Sequence, residues 1–207
     1  MKARKILAVS LTAAMTLALA ACGGSSSDKE SSSKDSSDKV YKIGICQQLE
    51  HAALEEATKG FEEACEEKFG KDKVKFDLQN GQGEQANCAT IVNNFVADND
   101  DLILANATTA LQCAAAATST IPILGTSVTD YATALDISDW TGSTGMNISG
   151  TCDLAPIDEQ EAMLKELLPD AKTVGILYCS AEPNSAYQAK KFEEALDKDG
   201  IKYKEYT

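Results

Sequence analysis

Between Val40 and Thr207 the chain alternates short β-branched runs with longer amphipathic segments, and this alternation constrains its fold more than any other feature. "VYKIGIC" (40–46) has the β-branched and aromatic content of a strand. From Ala52 to Phe69, Leu54, Ala57, Phe61, Ala64, Cys65 and Phe69 recur at helical spacing, and Gly70 follows as a stop. The same reading predicts a strand over "VKFDLQ" (74–79) and a helix over 83–98 with Cys88, Ile91, Val92, Phe95 and Val96 on its apolar side. It continues with a strand over "DLILA" (101–105), an alanine-rich helix over 108–118 and a strand over "IPILG" (121–125). A long loop over 126–140 then leads to a short strand over 142–147.

The pattern then restarts. Pro156 opens a helix with Asp158 and Glu159 in its first turn, and Pro169 follows its end. "KTVGILYC" (172–179) reads as a strand, 184–198 as a helix closed by Gly200, and "KYKEY" (202–206) as a further strand. Alternating β and α segments build a parallel sheet with helices on both faces. The restart predicts two such α/β units, one over 40–150 and one over 151–207. Two strands and two helices cannot cover both faces of a parallel sheet, so the second unit is expected to be incomplete and the chain to be a fragment cut at Thr207.

The residues before Val40 follow different rules. Lys2, Arg4 and Lys5 precede an uncharged, mostly apolar run from Ile6 to Ala21, too short for a spanning helix and suited to a secretory leader. Its end, Leu19-Ala20-Ala21-Cys22, has the form of a bacterial lipobox, in which small residues let a peptidase grip the backbone and the Cys22 thiol takes the lipid. Residues 1–21 are therefore expected to be a lipoprotein signal peptide. The competing reading is an ordinary leader cut after Ala21 beside a chance cysteine. Residues 22–39 are rich in serine and charge and hold no large apolar side chain before Val40, which predicts a disordered tether from an acylated Cys22.

Charge excludes some partners. The chain carries 19 basic and 32 acidic side chains, and removing Lys2, Arg4 and Lys5 would leave 16 basic. Such a surface repels nucleic acid, and no basic cluster offsets it. Of seven cysteines, Cys22 is the expected lipid site. Cys46, Cys65, Cys88, Cys113, Cys152 and Cys179 are scattered without CxxC spacing, so no metal centre is expected. Pairing among these six stays open.

In parallel α/β sheets, ligands bind beyond the carboxyl ends of the strands. The residues that follow each predicted strand there are polar. The first strand is followed by Gln47, Gln48, Glu50 and His51, and the second by Asn80 and Gln82. Asn106 and Thr108 follow the third, and Thr126, Ser127, Thr129 and Asp130 the fourth. Thr151 and Asp153 lie at the restart, and Glu182, Asn184 and Ser185 follow the next strand. Amides and hydroxyls at successive strand ends suit a small polar ligand.

Three local patterns compete with that reading. "GQGEQA" (81–86) fits the dinucleotide fingerprint, but it follows the second strand, and the next strand ends in Asn106 where an acid is required. A glycine turn whose helix start offers N–H groups to a carboxylate fits better, and no cofactor is expected. His51, the single histidine, lacks a recognisable nucleophile and acid, and suits a helix cap or a ligand contact. Ser185 with Gln188 fits a capping box as well as a ligand contact.

"IGICQQLEHAALEEATKGF", "QNGQGEQA", "ANATTALQ", "ILGTSVTDY" and "CSAEPNS" occur in this order. Together they resemble the substrate-binding lipoproteins of ABC transporters in the tryptophan-binding, or TrpX-like, family, over Val40 to Thr207. The resemblance implies an α/β, periplasmic-binding-protein-like fold: two doubly wound parallel-sheet lobes, the second incomplete here, closing on a ligand. It implies capture of a small polar solute, an aromatic amino acid among the candidates, and delivery to an ABC permease in the membrane, with no reaction catalysed. A binding lipoprotein that reports to a membrane sensor is the alternative.

Overall fold

The structure, a computed structural model, describes residues 39–207. The expected leader, Cys22 and nearly all of the expected tether lie outside the described residues. The element order is β1 (Tyr41–Gln47), α1 (Ala52–Phe69), β2 (Val74–Asn80), α2 (Gln85–Ala97), β3 (Leu102–Asn106), α3 (Thr108–Ala117), β4 (Ile123–Val128), α4 (Tyr131–Ala134) and β5 (Ile148–Cys152). After these come α5 (Ile157–Leu167), β6 (Thr173–Leu177), α6 (Pro183–Lys198) and β7 (Lys202–Tyr206). The first five strands form one parallel sheet in the order β2-β1-β3-β4-β5, and β6 and β7 form a separate parallel pair. We call these the larger and the smaller lobe.

Alternation along β1 divides the larger lobe's core. Ile43 and Ile45 join Val74 and Leu104 on one face, backed by Phe61 and Cys65 of α1. Cys46 falls on the other face with Ile103, Cys88, Val92 and Phe95 of α2, and Leu111 and Ala114 of α3. The two central strands are buried on both sides, and this is why their sequences are continuous apolar runs. A Cβ at Gly44 would collide with the Phe95 ring, so glycine is what lets α2 lie directly on β1.

In the larger lobe, the structure differs from the sequence reading at β4, at β5 and within the expected loop between them. The strand expected to stop at Gly125 runs on to Val128, through a register irregularity between Gly125 and Val128 that keeps it paired to β5. The strand expected over 142–147 is instead β5: Asn147 is a clamp before it, its Nδ2 donating to Thr118 O at 3.3 Å and Ile121 O at 2.5 Å. Inside the expected loop, Asp130 caps the short α4 by accepting from Thr133 N at 2.7 Å. β5 runs across the limit at 150/151 that the sequence suggests between units.

In the smaller lobe, Val174 and Ile176 of β6 are partly covered, while Leu177 is 82% exposed. The helix there begins one residue earlier than its sequence suggests. Glu182 is the N-cap, Pro183 takes the first helical position, and Ser185 lies inside the first turn. The capping box centred on Ser185 is thereby corrected: the Ser185 hydroxyl donates to Glu182 Oε2 at 3.2 Å, so Ser185 supports the cap and is not the cap.

Candidate functional site

The carboxyl ends of β1 to β5 form one edge of the larger lobe. The backbone is unusual there. Gln82, Ala107 and Ser127, at the ends of β2, β3 and β4, hold φ of 55°, 88° and 54°. Non-glycine residues in this region carry strain and cluster where structure serves function. Ala107 sits at φ 88° and ψ 164°, a region that glycine alone enters freely, and its N–H is tied to Thr126 O at 3.0 Å.

Beneath this edge lies a buried polar network. The Asn106 amide donates to Leu54 O at 2.8 Å and to Thr58 Oγ1 at 2.9 Å. The Thr58 hydroxyl donates in turn to Gln47 Oε1 at 2.9 Å, and Gln47 Nε2 donates to Leu49 O at 3.0 Å. Asn106 is fully buried, and its Oδ1 is buried without a partner. The network fastens the first turn of α1 to the ends of β1 and β3, and so sets the loop from Gln48 to His51. Thr58 was invisible to sequence reasoning, since a threonine in a helix carries no signal until its neighbours are known.

His51 caps α1, its Nδ1 accepting from Ala53 N at 3.2 Å, one of the two roles read from its position. The glycine turn is internally bonded. Gly81 N donates to Gln47 O, Gln82 N to Asn80 Oδ1, Gly83 N to Gln48 O and Glu84 N to Gly81 O. These four N–H groups are consumed by the protein, so the turn itself braces β1, and any carboxylate contact of the expected kind falls to the first helical N–H groups of α2.

Other predicted residues fall into separate groups. Gln47, Glu50 and Asn80 line a cavity of about 610 Å3 beside α1, together with Thr58, Leu78, Lys59 and Glu55. Thr108 and Thr129 are buried, Thr126 and Ser127 are half-buried on β4, and Asp130 is the α4 cap. Thr151 and Asp153 are exposed at the end of β5. Above Thr151, the Tyr131 hydroxyl donates to Thr151 O at 3.2 Å; burial, then Cys152 and Asp153, push this phenol up to about 12. Glu182, Asn184 and Ser185 start α6, which faces the larger lobe: Gln48 Nε2 donates to Glu182 Oε1 at 3.2 Å. Asn184 Oδ1 is buried without a partner.

The strand-end loops contain carboxylates at Glu50, Glu84, Asp130, Asp153 and Glu182 and no lysine or arginine. Such an edge can take a cationic group on its carboxylates, and must take an anionic one on neutral N–H and O–H donors.

Two α/β lobes meeting along a polar strand-end edge define a periplasmic-binding-protein-like molecule. The chain belongs to the ABC transporter substrate binding protein family, whose sequence pattern matches residues 42–207. It is 36% identical over 204 residues to a tyrosine-binding protein of Clostridioides difficile, spanning 96% of this chain and 59% of that relative. An ABC domain from Streptococcus pneumoniae in complex with L-Trp aligns with a TM-score of 0.76 at 33% identity, over 81% of this chain and 57% of the other. The ligand-free, open form of a Clostridium difficile substrate binding protein with adhesive properties aligns with a TM-score of 0.63 at 38% identity, over 81% of this chain and 57% of the other. The chain thus spans somewhat under two thirds of the length of these relatives.

Proposed function

We propose that the protein captures a small polar solute outside the cell membrane and hands it to an ABC import permease, and that the solute is an amino acid with an aromatic side chain. One observation carries the reading: the strand-end edge of the larger lobe, whose loops carry carboxylates and no lysine or arginine, faces the Glu182 carboxylate at the N-cap of α6 on the smaller lobe. An α-ammonium is the natural partner for carboxylates, and an α-carboxylate suits neutral donors. A tyrosine-binding relative and an L-Trp complex of a similar fold support the aromatic class. The single histidine is spent as a helix cap, and this favours binding over catalysis.

Of the residues read from sequence, Gln47, Glu50, His51, Asn80, Gln82, Thr126, Ser127, Thr129, Asp130, Thr151, Asp153, Glu182, Asn184 and Ser185 are proposed to face or shape the solute site, over Asn106 and Thr108. The lobes are proposed to divide just past β5, a few residues beyond the 150/151 limit read from sequence. Cys22 is proposed to carry the lipid that anchors the protein outside the membrane, its tether spacing the lobes from the surface.

Calorimetric titration with L-tyrosine, L-tryptophan, L-leucine and the deaminated analogue of tyrosine tests the solute class. Saturable heat with the aromatic amino acids, and at least about tenfold weaker binding of the analogue lacking the ammonium, is the expected result. Equal binding of the deaminated analogue would remove the ammonium argument. For the anchor, Cys22→Ser should release the protein from the membrane fraction.

A further inference from the structure

Gln48 stands out because each of its four hydrogen-bonding groups is engaged. Its backbone N–H donates to Asn106 O at 3.1 Å, at the end of β3. Its carbonyl accepts from Gly83 N at 2.8 Å, in the turn before α2. Its side-chain Oε1 accepts from Thr109 N at 3.1 Å, at the start of α3. These three contacts all lie within the larger lobe, and they hold a side chain that is only 6% exposed. The fourth group, Nε2, is thereby aimed outward, and it donates to Glu182 Oε1 at 3.2 Å across a sequence separation of 134 residues.

Glu182 is held on its own side by one contact. It is the N-cap of α6, and its second oxygen accepts from the Ser185 hydroxyl at 3.2 Å. A firmly held donor on one lobe thus meets an acceptor on the other that Ser185 orients. A neutral amide facing a carboxylate gives a charge-assisted hydrogen bond without a buried ion pair, so the contact can form and break without stranding a charge.

We propose that Gln48 is the latch that holds the smaller lobe against the strand-end edge of the larger one, with Glu182 as its keeper. Gln48 is a positioning residue: it sets the angle of α6 across the cleft, whatever solute is bound. The proposal concerns the contact between lobes and stands apart from the solute-class reading.

Hydrogen exchange followed by mass spectrometry on the protein without added solute tests it. Gln48→Glu keeps the acceptor for Thr109 N and sets a second carboxylate against Glu182. Exchange over residues 180–187 is expected to quicken by about tenfold or more, while β1 and β3 keep their protection and report that the larger lobe is folded. Glu182→Ala, which leaves the larger lobe untouched, should give a similar increase. The reciprocal pair, Gln48→Glu with Glu182→Gln, restores a donor opposite an acceptor with the roles exchanged, and should return exchange to within about threefold of the parent. The latch is overturned if both single variants exchange over 180–187 at the parent rate. It is also overturned if the reciprocal pair stays as fast as Gln48→Glu alone, since a merely structural role for Gln48 predicts no rescue.

Discussion

The Asn106 side-chain amide donates to Thr58 Oγ1 across 2.9 Å, joining the end of β3 to the middle of the second turn of α1 with both residues buried. This bond and the companion to Leu54 O place Asn106 beneath the strand-end surface, holding the loop that a solute would meet.

Asn106→Leu should therefore unfold at lower urea concentration, with a loss of about 1–3 kcal/mol for the two hydrogen bonds given up to Leu54 O and Thr58 Oγ1. Thr58→Val should cost a similar amount, about 1–3 kcal/mol, because it strands the buried Gln47 Oε1 and one Asn106 N–H, although the Asn106 bond to Leu54 O remains. Equal midpoints for Asn106→Leu and the parent would show that the network carries no stability.

Gly150→Ala is expected to be more harmful than Tyr131→Phe. A Cβ at Gly150 would strike the Gly125 carbonyl and the Tyr131 hydroxyl, and the residue's φ of 156° leaves little room to retreat. Overpacking against backbone should cost about 1–3 kcal/mol. Removing the Tyr131 hydroxyl loses one hydrogen bond to Thr151 O, about 1 kcal/mol, and thermal unfolding of both variants checks the order.

Asp100 offers a test in pH. Burial, and then the neighbouring Asp98, raise its carboxyl above the usual range, with Lys42 opposing and Asp77 and Asp101 adding. A raised carboxyl holds its proton more tightly in the folded chain. Its penalty is absent below the ordinary aspartate range, grows as pH rises through it, and is complete at neutral pH. Asp100→Asn should melt at higher temperature than the parent at pH 7, and the gain should vanish near about pH 3. A gain of equal size at both values would assign the effect to packing.

The thiols should separate by depth. Cys152 and Cys179 are exposed and Cys65 partly so, whereas Cys46, Cys88 and Cys113 lie in the larger lobe's core. A hydrogen bond with Cys88, then burial, raises the Cys46 thiol, and burial, then Cys88, raises Cys113. With a colorimetric thiol reagent at pH 7.5, Cys152 and Cys179 are expected to react first, Cys65 slowly, and the core three only in denaturant. Prompt labelling of Cys113 in the native protein would contradict the packing of α3 on the sheet.

The elements of the larger lobe were legible because their signals are local. The apolar runs of β1 and β3 follow from burial on both faces of a parallel sheet, and the stripe from Leu54 to Phe69 from a helix covering one of them. Gly70 ended α1 and Pro156 marked the start of α5 without any tertiary information. The polarity of the strand-end edge was equally legible, since the topology of an alternating chain places those loops together.

What a side chain does at that edge was not legible, because it depends on partners far along the chain. "GQGEQA" reads locally as a cradle of N–H groups, and only the parallel pairing of β1 with β2 brings the Gln47 and Gln48 carbonyls under it to take those of Gly81 and Gly83. Asn106 and Gln48 are both polar residues at strand ends. Register turns the Asn106 amide inward to Thr58, while three contacts in the larger lobe aim the Gln48 amide at Glu182. Sequence by itself determined the α/β alternation, the limits of the long helices to within a residue or two, and the polar edge, since backbone periodicity encodes them within a few residues. The tertiary structure alone decided which amides are spent and which face across the cleft, because a hydrogen bond of about 3 Å is set by strand register and lobe placement, not by neighbours in the chain.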